Sequence, residues 1–335
     1  MKYMIYISSP NDKSMKKFIL KRIGISILML FGVSIIIFAI IHLQPGNPFL
    51  SMVGVDTDPK FVEIKLREIG YYDPLPIQYL KWLWRTLHLD LGYSLQYNAP
   101  VVELIADRFG NTLILSLSSF CISTILAIGI GILSALYPNS IMDRIMTLLA
   151  FIGVSIPVFF FGLLLIKVMG YDLKLLPFSG IETLGSTYSG IERVMDIAMH
   201  LILPALTCAL TQTASLVRYT RASLLETISE DYIKTAMAKG LTKKQAIIRH
   251  GMKNARISII TVLCNRIPDL LSGALIVETI FVWPGIGMLN YQAILKQDYP
   301  MIMGITLMIA VIVILCNLLA DILYSVLDPR IRYER

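Results

Sequence analysis

The sequence predicts an all-α polytopic membrane protein with six transmembrane helices. Three observations carry that expectation. Mean hydropathy is +0.68, with 56% hydrophobic and only 16% charged residues in a chain of 335, a balance foreign to ordinary soluble domains. Six apolar runs, at 23–41, 111–137, 146–168, 198–217, 258–282 and 303–326, each approach the roughly 20 residues that a helix needs to cross a bilayer core. The basic residues, finally, concentrate in the segments that a cytoplasmic N-terminus would leave inside.

Residues 1–17 are expected to form that cytoplasmic N-terminus. Lys2, Lys13, Lys16, Lys17, Lys21 and Arg22 precede the first run, a layout shared with signal peptides. The run is nearly long enough to span, however, and no small-x-small cleavage site follows it. It therefore reads as an uncleaved first helix over 18–43, stopped by Pro45-Gly46-Asn47-Pro48.

Residues 44–110 form a polar insert with six basic and eight acidic residues, expected outside the cytoplasm. Phe61–Ile69 and Gln78–Leu87 read as short amphipathic helices. Trp82 and Trp84 suit the membrane interface, where amphipathic rings collect. A solvated cap and a docking surface for a partner account for the insert equally well.

Five further runs follow in 111–328. Pro157, Pro204 and Pro268 interrupt three of them, and proline within a span is tolerated where neighbours re-satisfy the freed backbone. With six spans and the N-terminus inside, the inner segments hold nineteen Lys and Arg and the outer segments nine. The long outer insert counts little toward orientation, so the inner loop 218–257, with nine of its own, dominates. Residues 329–335 then end in the cytoplasm. Topology thus accounts for the net charge of +7, and nucleic acid is not expected as a partner.

The most informative polar stretch is Asp231 to Ala255, DYIKTAMAKGLTKKQAIIRHGMKNA. Tyr232, Ile233, Ala236 and Met237 recur at i, i+1, i+4 and i+5, which gives a short helix one apolar edge. Gly240 suits the left-handed position after that helix. Thr242 and Gln245 then match a capping box that opens a second helix. The apolar edge needs something to dock against: the lipid, the protein's own helix ends, or a partner protein on the same side of the membrane.

Arg266 and Asp269 lie three residues apart within the fifth run, hence on one helical face. Each costs roughly 2.5–3.5 kcal/mol at a helix centre on insertion scales, so neither is expected to face lipid unpaired. Two readings stand: a mutual ion pair loosened by Pro268, or a lining for the path of a polar or zwitterionic substrate. Intramembrane charges usually face a cavity, which favours the second. Glu278, at the outer end of the same run, is the third candidate for the path. Asn317 and Asp321 are expected to be structural.

Cys121, Cys208, Cys264 and Cys316 fall in separate apolar runs and read as small buried hydrophobes. The four histidines are scattered, so no metal site is legible. There is no G-x-x-x-x-G-K-[ST], G-x-S-x-G or H-E-x-x-H motif; no catalytic residue, enzymatic activity or cofactor is expected.

Several segments resemble one family. Ala236-Met237-Ala238-Lys239-Gly240-Leu241, with Arg218-Tyr219-Thr220-Arg221-Ala222-Ser223-Leu224-Leu225-Glu226 before it, resembles the EAA-like loop of ATP-binding-cassette importer permeases. Thr235-Ala236-Met237 stands where others have Glu-Ala-Ala, as in the peptide and nickel branch. His42 to Pro48, Asp90-Leu91-Gly92-Tyr93-Ser94-Leu95, Glu278 to Gly287, Asp298-Tyr299-Pro300 and Asn317 to Arg332 are similar to the dipeptide, oligopeptide and nickel permeases. The resemblance runs from about Phe18 to Arg332.

It implies the type I importer permease fold (MetI-like), a five-helix core after the first span, and a bacterial or archaeal plasma membrane. It also implies a heterodimer with a second homologous permease, two cytoplasmic ATPase subunits and an extracytoplasmic substrate-binding protein. The loop would then be a coupling helix seated in the ATPase, with Asp231, Tyr232, Thr235, Ala236, Lys239 and Gly240 as the coupling residues. The function implied is import of di- and oligopeptides driven by hydrolysis on another chain. A permease of the same architecture for nickel or a metal chelate is the first alternative. A secondary transporter or channel that needs no ATPase is the alternative of another class.

Overall fold

The computed structural model describes residues 12–43, 63–64, 67, 70, 72–266 and 274–327. Every regular element named among them is helical. Helix α1, Asp12–His42, runs straight through the first apolar segment. Helix α2, Leu75–Leu87, lies in the insert, entered through Pro74 with Pro76 in its first turn, where a missing N–H costs nothing. The helix expected over Phe61–Ile69 falls largely outside the described residues.

Helix α3, Val101–Leu136, starts ten residues before its apolar run and so carries the second span beyond the bilayer. The third run is broken. Helices α4, Ile141–Ser155, and α5, Val158–Leu165, meet at 104°. Pro157 explains the break: it cannot donate to the helix, and it pushes Ile156 to an extended ψ of 124°. A π-helical turn, Ile166–Asp172, continues α5.

Pro204 has no such effect. Helix α6, Ile191–Ser229, passes through it for 39 residues. Leu203 and Ala205 on either side are buried, so neighbouring helices hold the segment where α4 and α5 are exposed. Pairing of α3 with α6 is the most extensive in the molecule. It is close because Gly131 faces Thr220, whose Cβ would stand 2.6 Å from any Cβ added at the glycine.

Helices α7, Asp231–Ala238, and α8, Lys243–Ala246, form a hairpin; a π-helical turn at Ile247–Gly251 leads into α9, Met252–Asn265. After α10, Leu275–Ile280, and α11, Ile286–Leu295, the chain ends its described part in α12, Tyr299–Leu327. Arg22 of α1 bridges Asp321 of α12 at 2.6 Å.

Among the described residues four helices are long and apolar enough to cross a membrane, or five if the bent pair α4–α5 is one span. The fifth predicted run is described only as α9 and α10, with residues 267–273 outside the description. The count of six is therefore met only approximately by the described residues. Trp283 is fully buried and its Nε1 donates to the Asn111 carbonyl at 2.9 Å. One other expectation needs correction. Cys121 is exposed on α3, while Cys208 and Cys264 are buried as expected.

Candidate functional site

The hairpin between α6 and α9 is built from local signals. Glu230 turns extended at the end of α6, and α7 begins at Asp231. Thr235 donates to the Asp231 carbonyl, and Lys234 reaches the Asp231 carboxylate at 2.8 Å. That ammonium holds the Asp231 carboxyl below its ordinary range. Gly240 closes the helix at φ +93° with open space where a Cβ would point, so only backbone conformation demands glycine there. The capping box forms in full, with Gln245 N donating to Thr242 Oγ1 and Thr242 N to Gln245 Oε1.

Packing divides the apolar edge of α7 in two. Ile233 and Ala236 point inward, at 0% and 8% exposure, against Ala246 and Leu241. Tyr232 and Met237 point outward, at 37% and 38%, beside exposed Asp231, Thr235, Lys239 and Gly240. The edge is thus divided: Ile233 and Ala236 pack within the protein, and Tyr232 and Met237 stay exposed. Ala236 is a packing residue here, and the outward surface belongs to the others.

Beneath the hairpin, Ile247 and Ala255 join Ala135, Leu136, Leu224 and Ile259 in one buried cluster. Helix α7 itself packs on α6, α8 and the π-helical turn, and Ile247 of that turn joins the ends of α3, α6 and α9. A second tie lies close by. Arg221 of α6 grips Asp143 of α4 with two bonds of 2.8 Å, Nε to Oδ1 and Nη2 to Oδ2. Asp143 also accepts from Asn139 N, while its own N donates to Ser140 Oγ. A Ser-x-x-Asp reading could have found that cap; nothing in the sequence pairs Asp143 with Arg221, 78 residues away. A concave surface of about 580 Å³ beside the hairpin is lined by Leu241, Thr242, Lys244, Gln245, Ile248 and Arg249.

Of the three intramembrane candidates, Arg266 is half-buried and donates to Ser215 Oγ on α6. Ser215 is one turn from Gln212, which accepts from Ser123 of α3 at 3.3 Å, so a polar seam crosses three helices. Asp269 lies outside the described residues. Glu278 has no accessible surface and faces no pathway in this conformation. Its carboxylate accepts from Thr112 Oγ1 at 2.7 Å and Met288 N at 3.0 Å, and Thr112 Oγ1 in turn accepts from Ile286 N. A carboxyl group at the start of α11 accepts from N–H groups that the helix itself leaves unpaired. Gly285 leaves room for it, because a Cβ there would collide with the Glu278 carboxylate.

Asp298 does the same for α12. At 1% exposure it accepts from Met301 N, Ser94 Oγ and Gln96 N, and Tyr97 OH donates to Gln292 Oε1 at 2.7 Å. The segment around Ser94 is thereby fastened to the loop before α12. Sequence reasoning placed Asp298 in a motif and missed this role, since its partners come from about 200 residues earlier.

Comparison with known proteins covers almost the whole chain. Residues 127–333 match the family described as binding-protein-dependent transport system inner membrane component, and residues 15–117 match the N-terminal region of such membrane components. The chain is 40% identical to the oligopeptide transport system permease protein AppB of Bacillus subtilis, over 95% of this chain and 100% of that one. It is 37% identical to the dipeptide transport system permease protein DppB of Escherichia coli K12, over 96% and 100%. With the glutathione transport system permease protein GsiC of Escherichia coli O6:H1 the identity is 35%, again over 96% and 100%. Among solved structures, a chain of the inward-facing MetNI methionine ABC transporter superposes with a TM-score of 0.51 at 14% identity, over 67% of this chain and 96% of that chain; this likeness concerns the fold.

Proposed function

This chain belongs to the family of binding-protein-dependent inner membrane transport components, a multi-pass permease of the ABC importer type, and we propose that its cargo is di- and oligopeptides. Relatives named for oligopeptide, dipeptide and glutathione transport support that substrate class. Hydrolysis occurs on two cytoplasmic ATPase subunits, the pathway is shared with a second homologous permease, and an extracytoplasmic binding protein delivers the peptide. The termini and the hairpin face the cytoplasm of a bacterial or archaeal cell.

The observation that carries the coupling role is the split surface of α7. One side, Ile233 and Ala236, is sealed onto Ala246 of α8 and Leu241; the other presents Tyr232, Met237, Thr235 and Lys239 to solvent. Closure of the ATPases pushes that outward side. The displacement passes through Glu230 into α6 and through the π-helical turn into α9, which shifts the population between inward- and outward-open states. Arg266, Ser215 and Gln212 line the path, and their polar seam offers hydrogen bonds to a zwitterionic cargo.

The test is a pull-down from solubilised membranes, comparing the native chain with Met237→Glu. The expected result is an ATPase and a second permease with the native chain, and loss of the ATPase alone in the variant. Recovery of the chain by itself in both cases would instead favour a self-sufficient transporter.

A further inference from the structure

The insert's helix α2 has two apolar faces, and among the described residues only one of them shows side-chain contacts with α1. On the first, Tyr79 OH bonds Ser34 Oγ at 2.8 Å, and Gln78 meets His42 at 3.2 Å. The Tyr79 and Trp82 rings lie 5.4 and 5.8 Å from that of Phe38. On the other, Ile77, Leu80, Trp84 and Leu87 are 45%, 61%, 66% and 70% exposed. Those four recur at i, i+3, i+7 and i+10, one stripe of a helix.

Depth decides what covers the stripe. Ser34 lies eight residues inside His42, the outer end of the first span, or about 12 Å at helical rise. A helix whose tyrosine reaches that far down α1 sits within the outer part of the bilayer rather than above it. The neighbouring surface of α1 is exposed and apolar at the same level, with Ile35, Ile36 and Ile40 at 42%, 57% and 54%. The stripe continues that surface sideways. Lys81 and Arg85 lie beside the stripe, Lys81 bridged to Asp73, where they reach the headgroup level.

We propose that α2 lies in the plane of the outer leaflet, with Ile77, Leu80, Trp84 and Leu87 inserted among phospholipid acyl chains, as an interfacial anchor for the insert. Trp82 does not share this role, since it packs against Phe38. The anchor fixes the height of the segment around Ser94 relative to the membrane, independently of which ATPase or cargo the permease serves.

The test uses the full chain in lipid nanodiscs containing phospholipid brominated near the top of the acyl chains. The bromolipid is expected to quench tryptophan emission, and Trp84→Phe to lose the larger part of that quenching; Trp84 is exposed, so the variant folds. A nitroxide on Leu80→Cys, with Cys121 replaced by serine, should collide more with oxygen than with a water-soluble nickel chelate. Iodide quenching of Trp84, or a nickel chelate that reaches position 80 more readily than oxygen, would overturn the anchor in favour of a solvated cap. Insensitivity of Trp84 to both bromolipid and iodide would overturn it in favour of a protein-covered face.

Discussion

In the orientation proposed above, the inner hairpin and the outer loops are fastened by opposite means. On the outer side, buried carboxylates join parts of the chain far apart in sequence: Glu278 to Thr112 across 166 residues, and Asp298 to Ser94 across 204. On the inner side, the hydrogen bonds of the α7 and α8 side chains span only three or four residues. A few small apolar groups seat the hairpin. A buried charge holds its donors firmly because each loses water and gains nothing if the bond breaks. The hairpin has no such constraint, so it can pass a displacement to the spans beneath it without breaking a buried polar contact.

The comparison is most exposed to failure at Glu278. Glu278→Ala strands Thr112 and the first N–H groups of α11, and should cost about 3 kcal/mol, read as a lowered unfolding temperature of the purified chain. If that temperature does not move, the outer clamp is not what holds α10 and α11. Asp298→Ala removes a helix cap and the ties to Ser94 and Gln96; about 2 kcal/mol is expected. Faster hydrogen exchange at 92–98, with the hairpin unaffected, would place the loss where the structure puts it.

Inner variants should show the reverse pattern. Gly240→Ala strains a left-handed position in open space, about 1 kcal/mol. The loss is local, leaving the unfolding temperature near native while ATP-driven uptake falls. A fall in global stability equal to that of the Asp298 variant would erase the distinction between the two regions. Met237→Glu changes an exposed side chain and should alter stability by no more than about 0.5 kcal/mol, yet reduce uptake the most of any inner variant.

The Asp231–Lys234 pair is expected to matter least, because both groups are exposed. The Asp231 carboxyl is held below its ordinary range, so the pair's contribution is present above that range and is lost only as pH falls through the lowered value. Lys234→Ala should leave uptake at neutral pH unchanged; a marked defect would make this exposed pair part of the partner's contact.

The hairpin was legible in advance because its determinants are local. A capping box, a glycine at the left-handed position and an apolar recurrence at i and i+4 need no knowledge of the rest of the chain. Pro157 and Pro204 show the limit of such reading. Both carry the same backbone defect, but α4–α5 breaks at one while α6 runs through the other, because only Pro204 is enclosed by neighbours. Tryptophans behave likewise: Trp84 is exposed on α2, Trp283 fills the interior, and composition alone does not separate them.

The amino-acid order by itself determined the helical class, the apolar runs and the start and stop of the hairpin after α6, all consequences of hydropathy and of residues within one or two turns. The tertiary structure alone decided that Ala236 turns inward while Met237 turns out, that Arg221 holds Asp143, and that Glu278 closes a helix end. Those outcomes depend on which segments meet, and a buried polar group takes its role from the partners that the fold brings to it.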